Sequence, residues 1–386
     1  MKEAVIVAAV RSPMGKANKG LLNSMRIDDL GAWVLKAALG RVPQINPNEI
    51  EDVILGCAMP EGEQGMNLAR NISLLAGVPL TAAAVTVNRF CASGLDTINT
   101  AALNIMVGNG EIYVAGGVES MSHVPMGGFN PSLNEKFFKE GMPQAYVSMG
   151  ITAENVATKY GVSRADQDQF AASSHQKAAQ AHTSGAFKDE MVSVDVPMGD
   201  GKTVTLDRDE NVRPETTAEK LGTLKPVFKE GGSVTAGNSS PLTDGAAIVI
   251  LMSADKAKAL GIKPLAKIRA MAVAGCDPAY MGIGPVPAVQ KVLKRAGMKI
   301  SDIDIFELNE AFAAQSLAVL RELGADVAKA NPQGGAIALG HPLGCSGGRI
   351  MATLINGLKR QNKTIGIETM CIGGGQGAAT IIERLN

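Results

Sequence analysis

The sequence predicts an α/β protein built from two similar halves, with a long segment inserted into the first. Three observations carry this prediction. Strand-like apolar runs alternate with helix-like amphipathic runs in the first part, the same rhythm resumes after Pro264, and from about Glu119 to Leu242 it stops. The expected division is 1–118 together with 243–263 for the N-terminal half, 119–242 for the inserted lobe, and 264–386 for the C-terminal half. A chain of 386 residues exceeds one hydrophobic core, so more than one domain is expected.

The first strand is expected at Val5 to Val10. This apolar run is too short to span a membrane, and no small-residue cleavage site follows it. Further strands are expected at Val53 to Cys57, Ala84 to Val87 and Ile112 to Gly116, with helices at Leu30 to Leu39, Asn67 to Ala76 and Leu95 to Val107. After Pro264 come Ala266 to Ala274, a helix from Val286 to Ala296, Ile303 to Leu308, a helix from Glu310 to Leu323, then Ile350 to Leu358 and Ile365 to Cys371. Two local matches in the same order support a duplication. Asn48 to Leu55 parallels Lys299 to Phe306, and Cys91-Ala92-Ser93-Gly94 parallels Gly344-Cys345-Ser346-Gly347. In the inserted lobe the clearest element is a helix from about Ala165 to His182, with Ser163 as N-cap and Asp166 completing a capping-box-like pair. A segment this long is not a plain connection; it is read as a lid or ligand-holding surface, with a solvated decoration as the alternative.

Composition excludes several classes. With 46% hydrophobic and 19% charged residues the chain is neither disordered nor a membrane protein by type. Basic and acidic residues balance at 37 each, so no global field holds the chain on nucleic acid or anionic lipid, and an anionic ligand is met by local cations. Five cysteines, with no secretory signal, argue against a disulfide framework and for a cytoplasmic location. No cysteine pair has CxxC spacing, and no metal site is expected.

The chemistry is expected at four places. Cys91 follows a strand and a turn and stands at a helix start, where free N–H groups and the helix dipole favour a thiolate nucleophile; the alternative is a small buried hydrophobe. His341, held between Gly340 and Pro342 after the glycine-dense Gly334 to Gly340, can take that thiol's proton. Cys371 ends a strand before Gly373-Gly374-Gly375, glycines that form a bulge or hairpin, or aim N–H groups at an oxyanion. Asn309 precedes a helix and is either its N-cap or a side-chain amide that orients a water or carbonyl.

Taken together, Cys-Ala-Ser at 91–93, Asn-Glu-Ala-Phe at 309–312, Gly-His-Pro at 340–342 and Cys-Ile-Gly at 371–373 resemble the signature motifs of the thiolase family, in the family's order. The likeness extends over essentially the whole chain, through Val5 to Pro13, Gly116 to Ser122 and Val234 to Asn238. It implies a thiolase fold, two βαβαβαββ halves in a five-layered αβαβα arrangement with a loop domain that binds coenzyme A, and a tight homodimer. It further implies that Cys91 attacks the 3-keto carbon of a 3-ketoacyl-CoA, and that Cys371 protonates the departing acetyl-CoA enolate and then deprotonates an incoming CoA. His341 and an Asn309-held water would bond the enolate oxygen, and the N–H groups of Cys91 and Gly373 the other oxyanion. CoA and acyl-CoA are implied as substrates, with no permanently bound cofactor. For CoA the family's pattern falls on Met149, Arg213, Phe228, Ala236, Gly237 and Ser240. Arg213 is the cation expected near a CoA phosphate, a solvated surface arginine being the alternative.

Ser148-Met149-Gly150 stands where biosynthetic acetoacetyl-CoA thiolases usually show His-Met-Gly, and resembles the degradative branch acting on 3-ketoacyl-CoA in fatty-acid β-oxidation. Met14-Gly15-Lys16 and Gly127-Gly128-Phe129 resemble the small subunit of the bacterial fatty-acid oxidation complex, which implies a heterotetramer with two large hydratase/dehydrogenase subunits. The biosynthetic enzyme is the alternative. A decarboxylating ketoacyl synthase lacks the second cysteine, and the intact motifs speak against a binding protein without turnover.

Overall fold

The computed structural model of the chain describes residues 1–199 and 201–386. Its first part runs β1 (Ala4–Arg11), β2 (Gly15–Lys16), α1 (Ile27–Gly40), β3 (Asp52–Gly56), α2 (Leu68–Leu75), β4 (Ala83–Val87), α3 (Ser93–Val107) and β5 (Ile112–Ser120). There follow α4 (Lys136–Lys139), α5 (Met149–Lys159), α6 (Arg164–Thr183), the hairpin of β6 (Val194–Pro197) and β7 (Thr203–Leu206), and α7 (Ala218–Gly222). The chain then enters β8 (Thr243–Ser253), α8 (Ala254–Ala259), β9 (Ala266–Gly275), α9 (Pro285–Ala296), β10 (Ile305–Leu308) and α10 (Ala313–Leu323). It ends with α11 (Ala336–Leu339), α12 (Ser346–Arg360), β11 (Ile365–Ile372) and β12 (Gln376–Arg384).

The duplication is visible in the strand pairing. β3 lies parallel to β5, which is antiparallel to β8, which is antiparallel to β1. In the same way β10 lies parallel to β11, which is antiparallel to β12, which is antiparallel to β9. Among the described residues, strands of the two sets pair only where Val5 and Ile6 meet Lys267 and Ala266. The second set has no full counterpart of β4: a single bridge joins Phe306 to Ala330. There the Asn331 side chain takes over the edge of β10, accepting from the Leu308 N–H at 2.8 Å and donating to the Leu308 carbonyl at 2.8 Å.

Burial explains the layering. β1, β5 and β8 are buried along their whole length, as strands covered on both faces must be. One face of the first set packs on α1 and α2 through Leu30, Val34, Leu68 and Ile72. The other packs on α3 and α12, which also cover the second set through Ile305, Met370 and Ile382. The outer face of the second set is closed by α9 and α10 through Val289, Val292, Val319 and Leu320. Five layers result, with α3 and α12 in the middle.

The inserted segment is tied to this core by a buried cation. Arg11, at the end of β1, is fully buried; its Nε donates to Glu190 at 2.7 Å and its Nη1 to Asp209 at 2.7 Å. Burial opposes ionisation of Asp209, but Arg11 and His182 outweigh it and hold that carboxyl well below its usual range. A carboxylate with a lowered pKa stabilises the fold above about pH 4 and loses that contribution as the pH falls further. Arg11→Met should therefore cost about 3–5 kcal/mol in urea unfolding at neutral pH, because two buried carboxylates lose their partner. The difference from wild type should shrink below about pH 4; an equal midpoint for both proteins at neutral pH would contradict the tie.

Candidate active site

Cys91 stands in a 3₁₀ turn, Phe90–Ala92, two residues ahead of α3. Phe90 has φ +45°, which a non-glycine residue rarely adopts. Local bonds hold it there. The Phe90 N–H donates to the Asn88 side chain at 2.8 Å, while Ser93 Oγ accepts from the Arg89 N–H at 2.8 Å and donates to the Phe90 carbonyl at 2.6 Å. Cys91 is walled by Ala58, Met59, Met121 and Leu343. Burial pushes its thiol up to about 11, although the N–H groups of Gly373 and of Cys91 itself face the sulfur and pull the other way. The resting group is a thiol. The expectation of a helix-stabilised thiolate is thus corrected: desolvation exceeds the help of the helix start.

Cys371 and Gly373 reach this point from the other half. β11 and β12 form a hairpin in which Ile372 pairs with Gln376, and the loop glycines Gly374 and Gly375 have φ +78° and +82°. The hairpin and the aimed N–H therefore coexist, since Gly373 opens the loop and its N–H faces Cys91. Cys371 is buried among Met281, Ala311, Phe312 and Met149. Burial first, and the Cys91 sulfur second, push its thiol well above the ordinary range, so the two thiols lie in one another's field.

His341 is fixed from three sides. Its N–H donates to Thr243 Oγ1 at 3.2 Å; Gly340, at φ +112°, would meet the same hydroxyl at 2.5 Å if it carried a β-carbon. Ser346 Oγ donates to the Pro342 carbonyl at 2.8 Å and stands 2.6 Å from His341 Nδ1. The single hydroxyl hydrogen is committed, so Nδ1 carries the proton and donates to Ser346. Nε2 is left as the acceptor, 3.2 Å from Asn309 Nδ2. Burial and, secondarily, the Arg349 guanidinium push this imidazole down to about 3.

Asn309 is not a helix N-cap. α10 begins at Ala313, because residues 311–313 pair with the inserted segment instead: the Ser240 N–H donates to the Ala311 carbonyl at 3.0 Å and the Ala313 N–H to the Asn238 carbonyl at 2.9 Å. The amide is thereby free to face His341. Its Oδ1 is buried without a partner among the described residues.

The residues expected to meet CoA divide into two groups. Met149 borders Gly373 and packs with Cys371 and Phe312, Phe228 meets Phe312 edge to face at 6.1 Å, and Ser240 bonds Ala311. Ala236 is exposed, whereas Gly237 is buried against Leu221 and Leu224. Arg213 sits apart, its Nη2 3.1 Å from Nε2 of the buried His175 and its backbone N–H donating to Nδ1 at 3.2 Å. No bond among the described residues joins it to the Met149 group. Sequence reasoning gave no role to Ser346, Thr243, Met281 or Glu119, although Ser346, in Gly-Cys-Ser-Gly, and Glu119, within Gly116 to Ser122, lie in stretches it singled out.

Alkylation of Cys91 by iodoacetamide, followed by peptide mass spectrometry, should keep accelerating with pH toward about 11. A plateau near about 8.5, the value of a free thiol, would show that burial does not dominate.

The thiolase N-terminal domain family matches residues 4–255, and the thiolase C-terminal domain family matches residues 262–384. The chain is 54% identical over 395 residues to the 3-ketoacyl-CoA thiolase of Bacillus subtilis, covering 99% of this chain and 100% of that protein. It is 52% identical over 393 residues to the 3-ketoacyl-CoA thiolase of Aeromonas hydrophila, covering 100% of each. A crystal structure of the Bacillus anthracis acetyl-CoA acetyltransferase matches with a TM-score of 0.92 at 43% identity, over 100% of this chain and 99% of that one. With both family domains present in order and full-length relatives at this identity, the chain belongs to the thiolase family.

Proposed function

We propose that the chain is a 3-ketoacyl-CoA thiolase, an acyltransferase that uses CoA to cleave a 3-ketoacyl-CoA into acetyl-CoA and a chain-shortened acyl-CoA in fatty-acid β-oxidation. The observation that carries the reading is the meeting of two buried thiols, Cys91 and Cys371, with the Gly373 N–H facing the first. Full-length identity to two proteins of that name supports it.

In this reading the Cys91 sulfur attacks the 3-keto carbon while its proton passes to His341 Nε2. A thiol pushed up to about 11 and an imidazole pushed down to about 3 store no ion pair, so proton transfer accompanies C–S bond formation. The N–H groups of Cys91 and Gly373 bond the oxyanion. The C2–C3 bond then breaks, its electrons pass to the acetyl-CoA fragment as an enolate, and Cys371 gives its proton to C2. His341 and a water held by Asn309 donate toward the enolate oxygen, and such preorganised donors are typically worth about 3 kcal/mol each. The Cys371 thiolate takes the proton of an incoming CoA thiol, which attacks the acyl carbon. Cys91 leaves as thiolate and recovers its proton from His341.

CoA is assigned to the segment 119–242, with Met149, Phe228, Ala236, Gly237 and Ser240 along its path and Arg213 near a phosphate. A homodimer through the edge strand β4 is supported by the exposed Val85 and the neighbouring exposed Leu103 and Val107. Association with large hydratase/dehydrogenase subunits and a cytoplasmic location belong to the same proposal; free Cys57, Cys91, Cys276, Cys345 and Cys371 suit a reducing compartment. Among the described residues no helix is long and apolar enough to cross a membrane. The second reading, a biosynthetic acetoacetyl-CoA thiolase, is favoured by the name of the structural relative.

Thiolysis of 3-ketoacyl-CoA substrates of graded length should extend beyond acetoacetyl-CoA; activity confined to that substrate would select the biosynthetic reading. Wild type incubated with substrate should carry the acyl group on the Cys91 peptide, and Cys91→Ser should lose about two orders of magnitude or more in kcat. Acylation of another residue would refute the assignment. Cys371→Ala should still become acylated but stall, and brisk steady-state cleavage by that variant would remove Cys371 from the proton transfers.

A further inference from the structure

Glu119 has no part in the chemistry described above, yet both walls of the Cys91 pocket hang on it. The carboxylate, at the end of β5, is 1% exposed. Oε2 accepts from the Ala58 N–H at 2.7 Å and the Gly344 N–H at 2.7 Å; Oε1 accepts from the Met59 N–H at 3.0 Å, from Gln64 Nε2 at 3.2 Å and from the Cys57 thiol at 3.6 Å. Ala58 and Met59 wall Cys91 on one side. Gly344 closes the turn that begins at His341 and contains Leu343, which walls Cys91 on another.

All five partners are neutral donors. Four of them, three backbone N–H groups and the Gln64 amide, can only donate, so although burial pulls this group upward, the donor shell favours the anion. Removing such an acceptor leaves buried N–H groups unpaired.

We propose that Glu119 is a positioning residue for acyl transfer, its buried carboxylate fastening the 57–59 loop of one half and the 341–344 turn of the other so that Cys91 and His341 keep their relative places. Misplacement of reacting groups by about 1 Å costs on the order of a hundredfold in rate. The charge has a second effect. Glu119 from β5 is the charged group that acts on Cys91, Cys371 from β11 shares its field, and the anion disfavours the Cys91 thiolate. The nucleophile therefore stays a thiol, poorly reactive toward oxidants, until the substrate arrives.

The proposal rests on Cys91 as the acylated residue, which substrate trapping on the wild-type chain decides independently. Two variants separate reach from charge. Glu119→Gln keeps the length, removes the charge and sets an amide donor against an N–H donor. Glu119→Asp keeps the charge and shortens the reach. Per folded enzyme, Glu119→Gln should lose about tenfold to a hundredfold in kcat, with the KM for CoA within about twofold of wild type, and its Cys91 alkylation profile should move to lower pH. Glu119→Asp should lose kcat with its alkylation profile unmoved. The proposal is overturned if Glu119→Gln matches wild type in both kcat and alkylation profile, or loses only folded yield. Should that variant not fold, Glu119→Asp decides: a kcat within about twofold of wild type overturns the proposal, and the larger loss with an unmoved profile supports it.

Discussion

Where α3 and α12 begin, the two halves touch through glycine alone. A β-carbon on Gly94 would stand 2.7 Å from the Gly344 carbonyl oxygen and 3.0 Å from the Gly348 nitrogen, and one on Gly347 would run into the backbone of Leu95. No side chain fits between these helix starts. Because the backbones meet directly, the residues just ahead of each helix are brought together: Cys91 before α3, and His341 to Leu343 before α12. The duplication puts equivalent turns back to back and then assigns them different work. Ser93 and Ser346 occupy matching places in the repeated motif, and both donate to a carbonyl of the preceding turn. The first hydroxyl otherwise accepts from a backbone N–H and steadies Phe90, while the second accepts from an imidazole and fixes its tautomer.

Burial sets the electrostatics of this meeting point. Cys91 and Cys371 are pushed up and His341 is pushed down, so each reacting group rests in its neutral form. Two fixed charges frame them. Glu119 lies in the field of Cys91, and Arg349, buried with all three guanidinium nitrogens lacking a partner among the described residues, lies in the field of His341. Each charge disfavours ionisation of the group it faces: the anion opposes a thiolate and the cation opposes an imidazolium. In the proposed mechanism, charge is therefore held off until a C–S bond is forming and backbone N–H groups receive the oxyanion.

What the sequence revealed and what it concealed follow from the range of the interactions. The positive φ of Gly340 and the Gly373 to Gly375 hairpin are local demands, and glycine records them at the position concerned. The strands and helices were legible for the same reason, through periodicities within each segment. Asn309 was read at a helix start because Glu310 to Leu323 is helical in pattern; α10 begins later since residues 311–313 pair with 238–240, far away in the chain. The missing counterpart of β4 escaped notice because a single side chain, Asn331, serves the strand edge in its place. Glu119 lies in the Gly116 to Ser122 stretch of the family likeness, but nothing in the sequence marks its bonds, since its partners are mainly backbone N–H groups whose residue types are irrelevant to the bond. The protonation state of Cys91 was misjudged because the helix start is written in the local sequence and the desolvation that outweighs it is not.

The inserted segment is expected to be a lid or ligand-holding surface, with a solvated decoration as the alternative, and its attachments to the core speak against mere decoration. Arg11 binds Glu190 and Asp209 where none of the three is solvated. Glu310, next to Asn309, accepts from Ser174 Oγ on α6 at 2.6 Å and from Asn331 Nδ2 at 2.7 Å. Phe312 bridges Ser239, so the stretch that positions Asn309 is itself paired with the inserted segment. A hinge needs residues that can change φ and ψ without breaking buried bonds, and these ties leave no such freedom at the junction with the active site. If the segment swung as a body, Asn309 would move with it and lose His341. Bonded to the stretch that carries Asn309, the segment is held against the site, and its exposed large apolar side chains include Phe129, Leu133, Phe138, Met142 and Tyr146.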